Sequence, residues 1–422
     1  MTVLRRRTAG GRFAGWSQRV RGESVMVLSP RIVSAGVGVV FVTLTARVLG
    51  PTGRGEIAVA FTIAYLTAKL ADLGTSTSGR IHLLDPDHQV GPNDIASLTI
   101  ALIPLQAILV VIAVGLLSLS SLRLDLSFSM AVIGLSTATM MLRGAVAMLY
   151  GLRRYAVVLM AETAAAVIEV VALVVLWLGG LLTAASAVTT MGIGSALCAA
   201  WLVSRPGVLQ RGAGNVLTTH WRTLIVDGIS PMFGDVLFFM ALRLDRLVLA
   251  VVAGAHQVGL YAAAMAIPET LRILPMAVGQ VLADRSRSGI DSVVDVRRHG
   301  RLVVLGYLLV LIIGALVGFV ALPLAFGEGF SEARDVLVIV MIAELFMSVH
   351  LMQQAALLGF GRPRGIGVPR LIGGAVTVVL GLVMIPTWGL HGAAWASLIG
   401  YAVLAATAVL WTNRELRRAQ AP

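Results

Sequence analysis

The sequence predicts an all-α polytopic membrane protein with about 12 transmembrane helices, arranged as two pseudo-symmetric six-helix lobes around a central cavity. Three observations predict this fold class: long apolar blocks, basic residues that alternate between the two sides of the membrane, and a repeat that covers about half of the chain. Of the 422 residues, 58% are hydrophobic and 13% are charged. Soluble domains contain about 25% charged residues, so the composition excludes a soluble domain of this size.

The apolar blocks are long enough to cross a bilayer as helices. Residues 95–122, 302–326, 371–391 and 392–413 contain no charged residue, and a transmembrane helix needs about 20 apolar residues. Twelve spans fit the chain. Their predicted limits are 25–49, 56–77, 95–119, 126–149, 155–178, 181–204, 222–251, 257–283, 302–325, 335–358, 366–386 and 390–412.

Basic residues alternate between the two sides of the predicted bundle. With both termini placed in the cytoplasm, 24 of the 33 basic residues fall in cytoplasmic segments, 3 in the opposite loops and 6 within spans. Such a bias sets the orientation of membrane proteins. The net charge of +12 then predicts contact with anionic membrane lipids, and we expect no nucleic-acid partner. Lys69 is the only lysine, which is typical of a GC-rich genome, so we expect a multi-pass protein of the bacterial cytoplasmic membrane.

Two internal repeats divide the chain into halves. The segment Gly50–Ala60 returns as Gly254–Ala264, and Gly180 returns as Gly389, with offsets of 204 and 209 residues. Six spans in each half give both halves the same orientation, which implies two facing lobes, a central cavity and alternating access. The predicted domains are a basic cytoplasmic tail (1–24), an N-terminal lobe (25–204), a cytoplasmic inter-lobe linker (205–221), a C-terminal lobe (222–413) and a cytoplasmic tail (414–422).

Several short motifs occur in an order that is similar to that of a known transporter family. They are Ala46–Gly55 (Ala-Arg-x-Leu-Gly-Pro-x-x-x-Gly), Ala71–Gly74 (ending Asp-Leu-Gly), Leu244–Arg246 (ending Asp-Arg), Val258–Ala264 (Val-Gly-x-Tyr-x-x-Ala), Phe326–Phe330 (Phe-Gly-x-x-Phe), Gly361–Arg362 and Ile385–Ala394 (Ile-Pro-x-x-Gly-x-x-Gly-Ala-Ala). Together they resemble the Wzx-type polysaccharide flippases of the multidrug/oligosaccharidyl-lipid/polysaccharide exporter superfamily. Spans 3 to 6 show no such motif, and we expect that region to set substrate choice.

The resemblance implies a transporter that flips a lipid-linked oligosaccharide, or exports a polysaccharide precursor, across the cytoplasmic membrane. The substrate it implies is a lipid-linked saccharide, and the protein partners it implies are a polysaccharide polymerase and glycosyltransferases. Two alternatives stay open. One is a cation-coupled multidrug exporter of the same architecture, and the other is a non-transporting scaffold of an envelope polysaccharide assembly complex.

Charged residues inside the predicted spans are the candidate site residues, because a charge in the hydrocarbon core costs at least ~2.5 kcal/mol on insertion scales. Lys69 and Asp72 lie three residues apart in span 2, and Glu269 and Arg272 lie three apart in span 8. Each pair has two interpretations. It forms an ion pair within its helix, or its cation faces the cavity and binds the phosphate of a substrate.

The other candidate cations are arginines, whose planar fork binds phosphate oxygens bidentately. Arg243 and Arg246 share one face of span 7, and we expect at least one of them in the cavity. Arg31 lies near the cytoplasmic end of span 1, where it binds substrate or snorkels to the headgroups. Arg47 lies near the outer end of span 1, where it binds substrate or donates to carbonyls of the outer turn.

Acidic residues inside the spans also have two interpretations: coupling of transport to protons or sodium, or helix–helix hydrogen bonds. Glu162 and Glu169 lie seven apart and share a face of span 5. The candidate acids are Asp72, Glu162, Glu169, Asp235, Glu269 and Glu344.

No enzyme activity, metal site or cofactor is predicted. The seven histidines form no i, i+4 pair, and the chain lacks Gly-x4-Gly-Lys-Ser/Thr. Cys198 is the only cysteine, so the chain has no internal disulfide.

Overall fold

The described part of the protein is helical throughout. The computed structural model describes residues 10–85, 90–118, 125–209, 220–287 and 293–420, with the backbone alone for residues 10–32, 34–35, 293–294, 297, 363–364 and 418–420. Its α-helices are α1 (Gly10–Ala71), α2 (Thr75–Leu84), α3 (Pro92–Ala101), α4 (Ile103–Ser118), α5 (Leu126–Gly151), α6 (Tyr155–Leu178), α7 (Ala184–Val203), α8 (Trp221–Leu271), α9 (Ile273–Arg287), α10 (Val293–Ala321), α11 (Ala333–Gly359) and α12 (Gly367–Gln420). A π-helical turn (Leu322–Phe326) and 3₁₀ turns (Glu328–Phe330 and Pro363–Ile366) complete it.

Some predicted boundaries fall outside the described residues. Residues 1–9 of the predicted N-terminal tail, residues 210–219 of the predicted linker and residues 421–422 of the predicted C-terminal tail lie there. The helix α1 begins at Gly10, inside the segment predicted as a tail. Predicted span 3 is divided between α3 and α4, which meet at Leu102.

Single glycines break three long helices into pairs. Gly50 interrupts α1 with φ 67° and ψ −173°, and Gly254 interrupts α8 with φ 79° and ψ 175°. Gly389 interrupts α12 with φ 52°. Glycine is the residue that adopts such angles at little steric cost. Pro51 directly follows the break in α1, and its fixed φ favours the first position of a new helix. The short turns predicted at Gly50 and Gly254 are therefore one-residue breaks between two spans.

A matching helix end extends the repeat seen in the sequence. After α5, the Arg154 N–H donates to the Leu149 carbonyl at 2.8 Å, and after α11 the Arg362 N–H donates to the Leu357 carbonyl at 2.8 Å. The residue before each donor has a positive φ, 59° at Arg153 and 69° at Gly361. Both ends form the same bonded turn, in which the chain leaves the helix through a left-handed residue. The two turns are 208 residues apart, close to the offsets of 204 and 209 residues between the internal repeats.

The two halves touch each other along α1 and α8. Around the glycine breaks, a Cβ at Gly55 would overlap the carbonyl oxygen of Ala255, and a Cβ at Gly259 would overlap the carbonyl oxygen of Pro51. The contact is reciprocal, because Pro51 and Gly55 correspond to Ala255 and Gly259 at the offset of 204. The backbones therefore meet across a pseudo-two-fold axis. We call this side of the bundle the break end.

The halves also touch at the opposite side of the bundle, which we call the α2 end. There the backbone of Gly74 lies against that of Gly228. The Ser78 hydroxyl donates to the Leu224 carbonyl at 2.7 Å, and His82 Nε2 lies 2.9 Å from Asp227 Oδ2. Contacts at both ends leave a space between the lobes.

The outer surface confirms a multi-pass membrane protein. Eight helices of the described chain are long and apolar enough to cross a membrane, and one of them, Gly367–Arg417, contains the break at Gly389. Large apolar side chains face outward, with Leu178 75% exposed and Leu324 72% exposed. Such surface is favourable only against lipid or another apolar partner. The all-α polytopic fold class predicted from the sequence is confirmed.

Candidate substrate cavity

A cavity of about 560 Å³ lies between the two halves. Its walls come from both parts of α1, from α6 and α7, from both parts of α8, from the first residue of α9 and from the π-helical turn. Most of the lining is apolar and includes Phe41, Phe61 and Phe326. An apolar pocket with a few charged groups is the usual form of a ligand site.

Five charged residues line this cavity, and we call them the cavity cluster: Arg54, Glu169, Arg243, Arg246 and Glu269. Glu269 binds two of the arginines, with its oxygens 3.0 Å from Arg243 Nη2 and 2.7 Å from Arg246 Nη2. Three cations and two acids leave the cluster one positive charge in excess if all are ionised. An anion is the ligand that this charge favours.

Several buried guanidinium donors of the cavity cluster are unpartnered. Among the described residues, none accepts a hydrogen bond from Arg54 Nε, Arg246 Nε or Arg246 Nη1. The Arg246 side chain is only 2% exposed. Leaving a buried donor unsatisfied costs ~1–3 kcal/mol, and more for a charged group. These donors are therefore placed for an oxygen-rich ligand that enters the cavity.

Helix geometry explains why these side chains meet. Arg243 and Arg246 lie one turn apart on α8, before the break at Gly254, and Glu269 lies after it. Because α8 doubles back at Gly254, its own second half brings the acid to the arginines. Arg54 lies one turn after Gly50 and shares a face of α1 with Phe61.

Arg54 is not among the site residues predicted from the sequence, because it falls between predicted spans 1 and 2, in an outer loop. The signal that indicates its place is Pro51, which begins a helix immediately after Gly50. Arg54 therefore belongs to the second helix instead of a loop, and its side chain reaches the cavity.

Glu169 lies on the opposite wall of the cavity. Among the described residues, none makes a hydrogen bond or an ion pair with its carboxylate. Gly194 of α7 leaves space for it, because a Cβ there would overlap Glu169 Oε1. Glu162 does not line the described cavity, although it interacts with other residues.

Arg272 and Glu344 form a bidentate pair away from the cavity lining. Arg272 Nε and Nη2 donate to the two oxygens of Glu344 at 2.7 and 2.6 Å, and Glu344 is 1% exposed. This fork geometry gives each carboxylate oxygen one charge-assisted hydrogen bond. The pair fastens α8 to α11.

Arg47 contacts the other lobe at the break end. Its Nη1 donates to the carbonyls of Leu324 at 3.0 Å and Ala325 at 3.5 Å, both in the π-helical turn. These carbonyls belong to the C-terminal half of the chain, whereas the outer turn considered for Arg47 follows span 1. The side chain of Arg31 lies outside the described residues.

A second group of charges lies at the α2 end, which we call the α2-end cluster: Lys69, Asp72, Arg143, Asp235 and Arg370. Lys69 Nζ lies 3.8 Å from Asp235 Oδ2, and Arg370 Nη1 lies 3.6 Å from Asp235 Oδ1. Asp72 instead caps α2, since it accepts from the Ser76 N–H at 3.2 Å as well as from the Thr75 hydroxyl at 2.8 Å, and it lies 3.9 Å from Arg143.

The two ion pairs considered within single helices, Lys69–Asp72 and Glu269–Arg272, do not form among the described residues. Lys69 contacts Asp235 instead, and Arg272 contacts Glu344. Each of these side chains is closer to a charge on another helix. The sequence spacing permits a pair, but the packing of the helices decides which pair forms.

The model of the family described as "Polysaccharide biosynthesis protein" matches residues 21–282, which is more than half of the chain. The chain belongs to the polysaccharide biosynthesis protein family. No curated protein matches it.

Solved structures that share the fold of this family member are transporters. The lipid II flippase MurJ, in an inward closed conformation, has a TM-score of 0.73 at 11% identity, with 92% of this chain and 86% of that chain covered. An inward-facing multidrug resistance MATE transporter of the MOP superfamily has 0.66 at 13%, with 94% and 99% covered. A MOP superfamily transporter from Pyrococcus furiosus, described for the reverse polarity of its binding pocket, has 0.66 at 13%, with 94% and 96% covered. The resemblance predicted from the motifs is confirmed by the family match, and these structures show that the fold is shared.

A buried carboxylate of this family member lies beside the cavity cluster without lining the cavity. Asp245 accepts from the Tyr261 hydroxyl at 2.6 Å and from the Arg246 N–H at 2.7 Å, and Tyr261 lies 3.0 Å from Ser397. The network joins the two parts of α8 to α12 and fixes the backbone beside Arg246. Asp245 is not among the site residues predicted from the sequence.

Proposed function

We propose that this protein is a flippase that moves a lipid-linked oligosaccharide, or a polysaccharide precursor, across the bacterial cytoplasmic membrane. The observation that carries the proposal is the set of unpartnered guanidinium donors in the cavity between the lobes. Residues 25–204 and 222–413 act as the two lobes of an alternating-access transporter. Both termini lie in the cytoplasm, as the distribution of basic residues indicates.

The cavity cluster holds the anionic headgroup. A phosphate or diphosphate accepts from Arg54, Arg243 and Arg246, and satisfies donors that are otherwise buried without partners. The saccharide occupies the remaining space of the cavity, while the lipid chain stays in the bilayer. Membrane lipids are therefore partners, and a polysaccharide polymerase and glycosyltransferases use or supply the same cargo.

The acids of the cavity supply a means of coupling. Glu169 and Glu269 line the cavity together with the arginines, so a change in their protonation alters the charge that the headgroup meets. Glu269 also competes with the headgroup for Arg243 and Arg246. Release of the cargo is aided when Glu269 regains both arginines.

Flipping in proteoliposomes tests the proposal. A fluorescent polyprenyl-diphosphate saccharide is incorporated in both leaflets, and an impermeant quencher is added outside the vesicles. The quencher reaches only the outer leaflet, so the slow loss of the remaining fluorescence measures movement of the lipid out of the inner leaflet. We expect Arg54→Gln, Arg243→Gln and Arg246→Gln to lower the flipping rate by about tenfold or more each, from the strength of a hydrogen bond to a charged group. Arg334→Gln is the matched control, because Arg334 donates to the Phe319 carbonyl and neither residue lines the cavity.

Two outcomes contradict the proposal. If a variant that combines Arg54→Gln, Arg243→Gln and Arg246→Gln flips the lipid at the wild-type rate, the cavity cluster does not hold the headgroup. If the wild-type protein moves no lipid-linked saccharide, the protein is a scaffold of a polysaccharide assembly complex instead.

One observation favours the alternative of a cation-coupled multidrug exporter. The phenylalanines of the cavity lining and its two acids suit an aromatic cation. The arginines oppose such a ligand. Drug resistance on overexpression, with unchanged surface polysaccharide, would establish this alternative.

A further inference from the structure

The cavity cluster and the α2-end cluster are joined by two facing ladders of side chains. On α1, Phe61, Tyr65 and Lys69 follow one another at intervals of four residues, which places them on one face. The rings of Phe61 and Tyr65 are 4.4 Å apart, and Tyr65 stacks on Phe239 of α8 with 6.0 Å between centroids.

The facing ladder on α8 has the same spacing and ends on charges at both sides. Asp235, Phe239 and Arg243 also follow at intervals of four. The Arg243 guanidinium lies 5.8 Å from the Phe61 ring, and the Lys69 ammonium lies 6.0 Å from the Phe239 ring. Eight residues of helix place Asp235 about 12 Å from Arg243 along α8. An aromatic layer therefore separates two groups of cations.

The α2-end cluster resembles the cavity cluster in its unused hydrogen-bond donors. Arg143 Nε and Arg370 Nε are buried, and no described residue accepts from them. Three cations, Lys69, Arg143 and Arg370, face two acids, and Asp72 is occupied by the cap of α2. As in the cavity, one positive charge is in excess if all are ionised.

Asp235 is held more loosely than Glu269 and Glu344, the two acids that pair closely with arginines. It lies 3.6 and 3.8 Å from its two cations, and its side chain is 42% exposed. Glu269 lies 2.7 Å from Arg246, and Glu344 lies 2.6 Å from Arg272 with 1% exposure. A carboxylate at such distances makes ion pairs without close hydrogen bonds, so a phosphate competes with it easily.

We propose that the α2-end cluster is a second binding subsite for a phosphate or diphosphate headgroup, one aromatic layer away from the cavity, and that Asp235 occupies it when no headgroup is bound. Lys69 belongs to the N-terminal half, while Asp235 and Arg370 belong to the C-terminal half. A headgroup that displaces Asp235 bridges the two lobes in its place. This inference rests on the proposed function, and it names where the headgroup binds before or after it occupies the cavity.

Binding to the purified full-length protein in nanodiscs tests the subsite. The probe is a fluorescent polyprenyl-diphosphate disaccharide, displaced by inorganic pyrophosphate. We expect Asp235→Asn to tighten binding by about tenfold, because it removes the competing charge, and Lys69→Gln and Arg370→Gln to weaken it by about tenfold.

Each control removes one charge at a residue that belongs to neither cluster. Asp125→Asn removes an exposed carboxylate that caps α5, and asparagine serves equally well as a cap. Arg334→Gln removes a surface arginine. Both are expected to leave the affinity unchanged. Size-exclusion profiles and thermal unfolding midpoints equal to wild type show that each variant folds.

Outcomes separate the subsite from the proposed function. If Lys69→Gln, Arg370→Gln and Asp235→Asn all leave the affinity unchanged while Arg243→Gln and Arg246→Gln abolish binding, the subsite is overturned and the proposed function survives. If the probe binds to none of the proteins, the proposed function fails. A further binding measurement uses nanodiscs in which phosphatidylglycerol replaces the neutral lipid. If that lipid displaces the probe from wild type but not from Arg370→Gln, the cluster binds bulk lipid headgroups and its role for the cargo is overturned.

Discussion

The two ends of the interface between the lobes are closed by different chemistry. At the break end, Gly55 and Gly259 bring two backbones into contact reciprocally, with no side chain between them. At the α2 end, the backbone contact is reinforced by the bonds of Ser78 and His82 to α8. The close contact at the break end therefore depends on the absence of side chains at Gly55 and Gly259, with the bonds of Arg47 to the π-helical turn beside it, whereas the α2 end depends on buried polar partners. An alternating-access transporter must open each end in turn, and this difference allows each end to be disturbed separately.

The largest effect is expected from a methyl group at the break end. A Cβ at residue 259 overlaps the Pro51 carbonyl oxygen, so Gly259→Ala forces α1 and α8 apart. Overpacking costs about 1–3 kcal/mol, which shifts a two-state equilibrium about 5- to 150-fold toward the state open at this end. We expect a flipping rate lowered at least about fivefold. The opening of the break end is measured by maleimide labelling. The cavity residue Ile57 is replaced by cysteine in a Cys198→Ala background, and an impermeant maleimide labels it when this end is open.

Gly234→Ala is the matched control for this prediction. Gly234 also lies in α8, but a Cβ there meets no atom within 4 Å. Equal labelling and flipping for the wild type, Gly234→Ala and Gly259→Ala would show that the break end does not close during transport.

A smaller effect is expected at the α2 end. Asp227→Ala removes the partner of His82, and a typical hydrogen bond contributes about 0.5–1.5 kcal/mol, so opening at this end increases about two- to twelvefold. Maleimide labelling of Ile225→Cys, again without Cys198, measures this opening. Asp227→Asn retains an acceptor oxygen and is expected to fall between wild type and Asp227→Ala. A larger change in Asp227→Asn than in Asp227→Ala would contradict a hydrogen-bonded contact.

The smallest effect is expected from Arg47, which is exposed. Arg47→Gln removes its bonds to the carbonyls of Leu324 and Ala325, at a cost of up to ~1 kcal/mol. We expect faster hydrogen exchange in residues 322–330, with little change in substrate affinity. The opposite result, a loss of affinity with unchanged exchange, would favour substrate binding as the role of Arg47.

The sequence predicts the helices and their repeat well for a simple physical reason. Apolar blocks and glycines act locally: a long uncharged block needs a lipid environment, and Gly50 and Gly254 break their helices through their own backbone angles. These features require no knowledge of which helices are neighbours.

The site was less predictable because its contacts depend on helix neighbours. Arg243, Arg246 and Glu269 were all candidates, yet their mutual bonds depend on the way α8 doubles back at Gly254. The pairing of Lys69 with Asp235 crosses from one lobe to the other, which helical spacing does not indicate. The role of Asp72 as the cap of α2 depends on the break at Gly74, where the chain starts a new helix.

The reciprocal contact of α1 with α8 has the form of an isologous interface, in which one surface meets a copy of itself. In a dimer of identical chains, a single substitution at such a contact would appear twice, once on each side of the axis. Here both copies lie in one polypeptide, so each side varies on its own. Residue 51 is proline in one copy and residue 255 is alanine in the other, while Gly55 and Gly259 are the same. The fused chain therefore keeps the shared glycines and is free to make its two lobes chemically unequal.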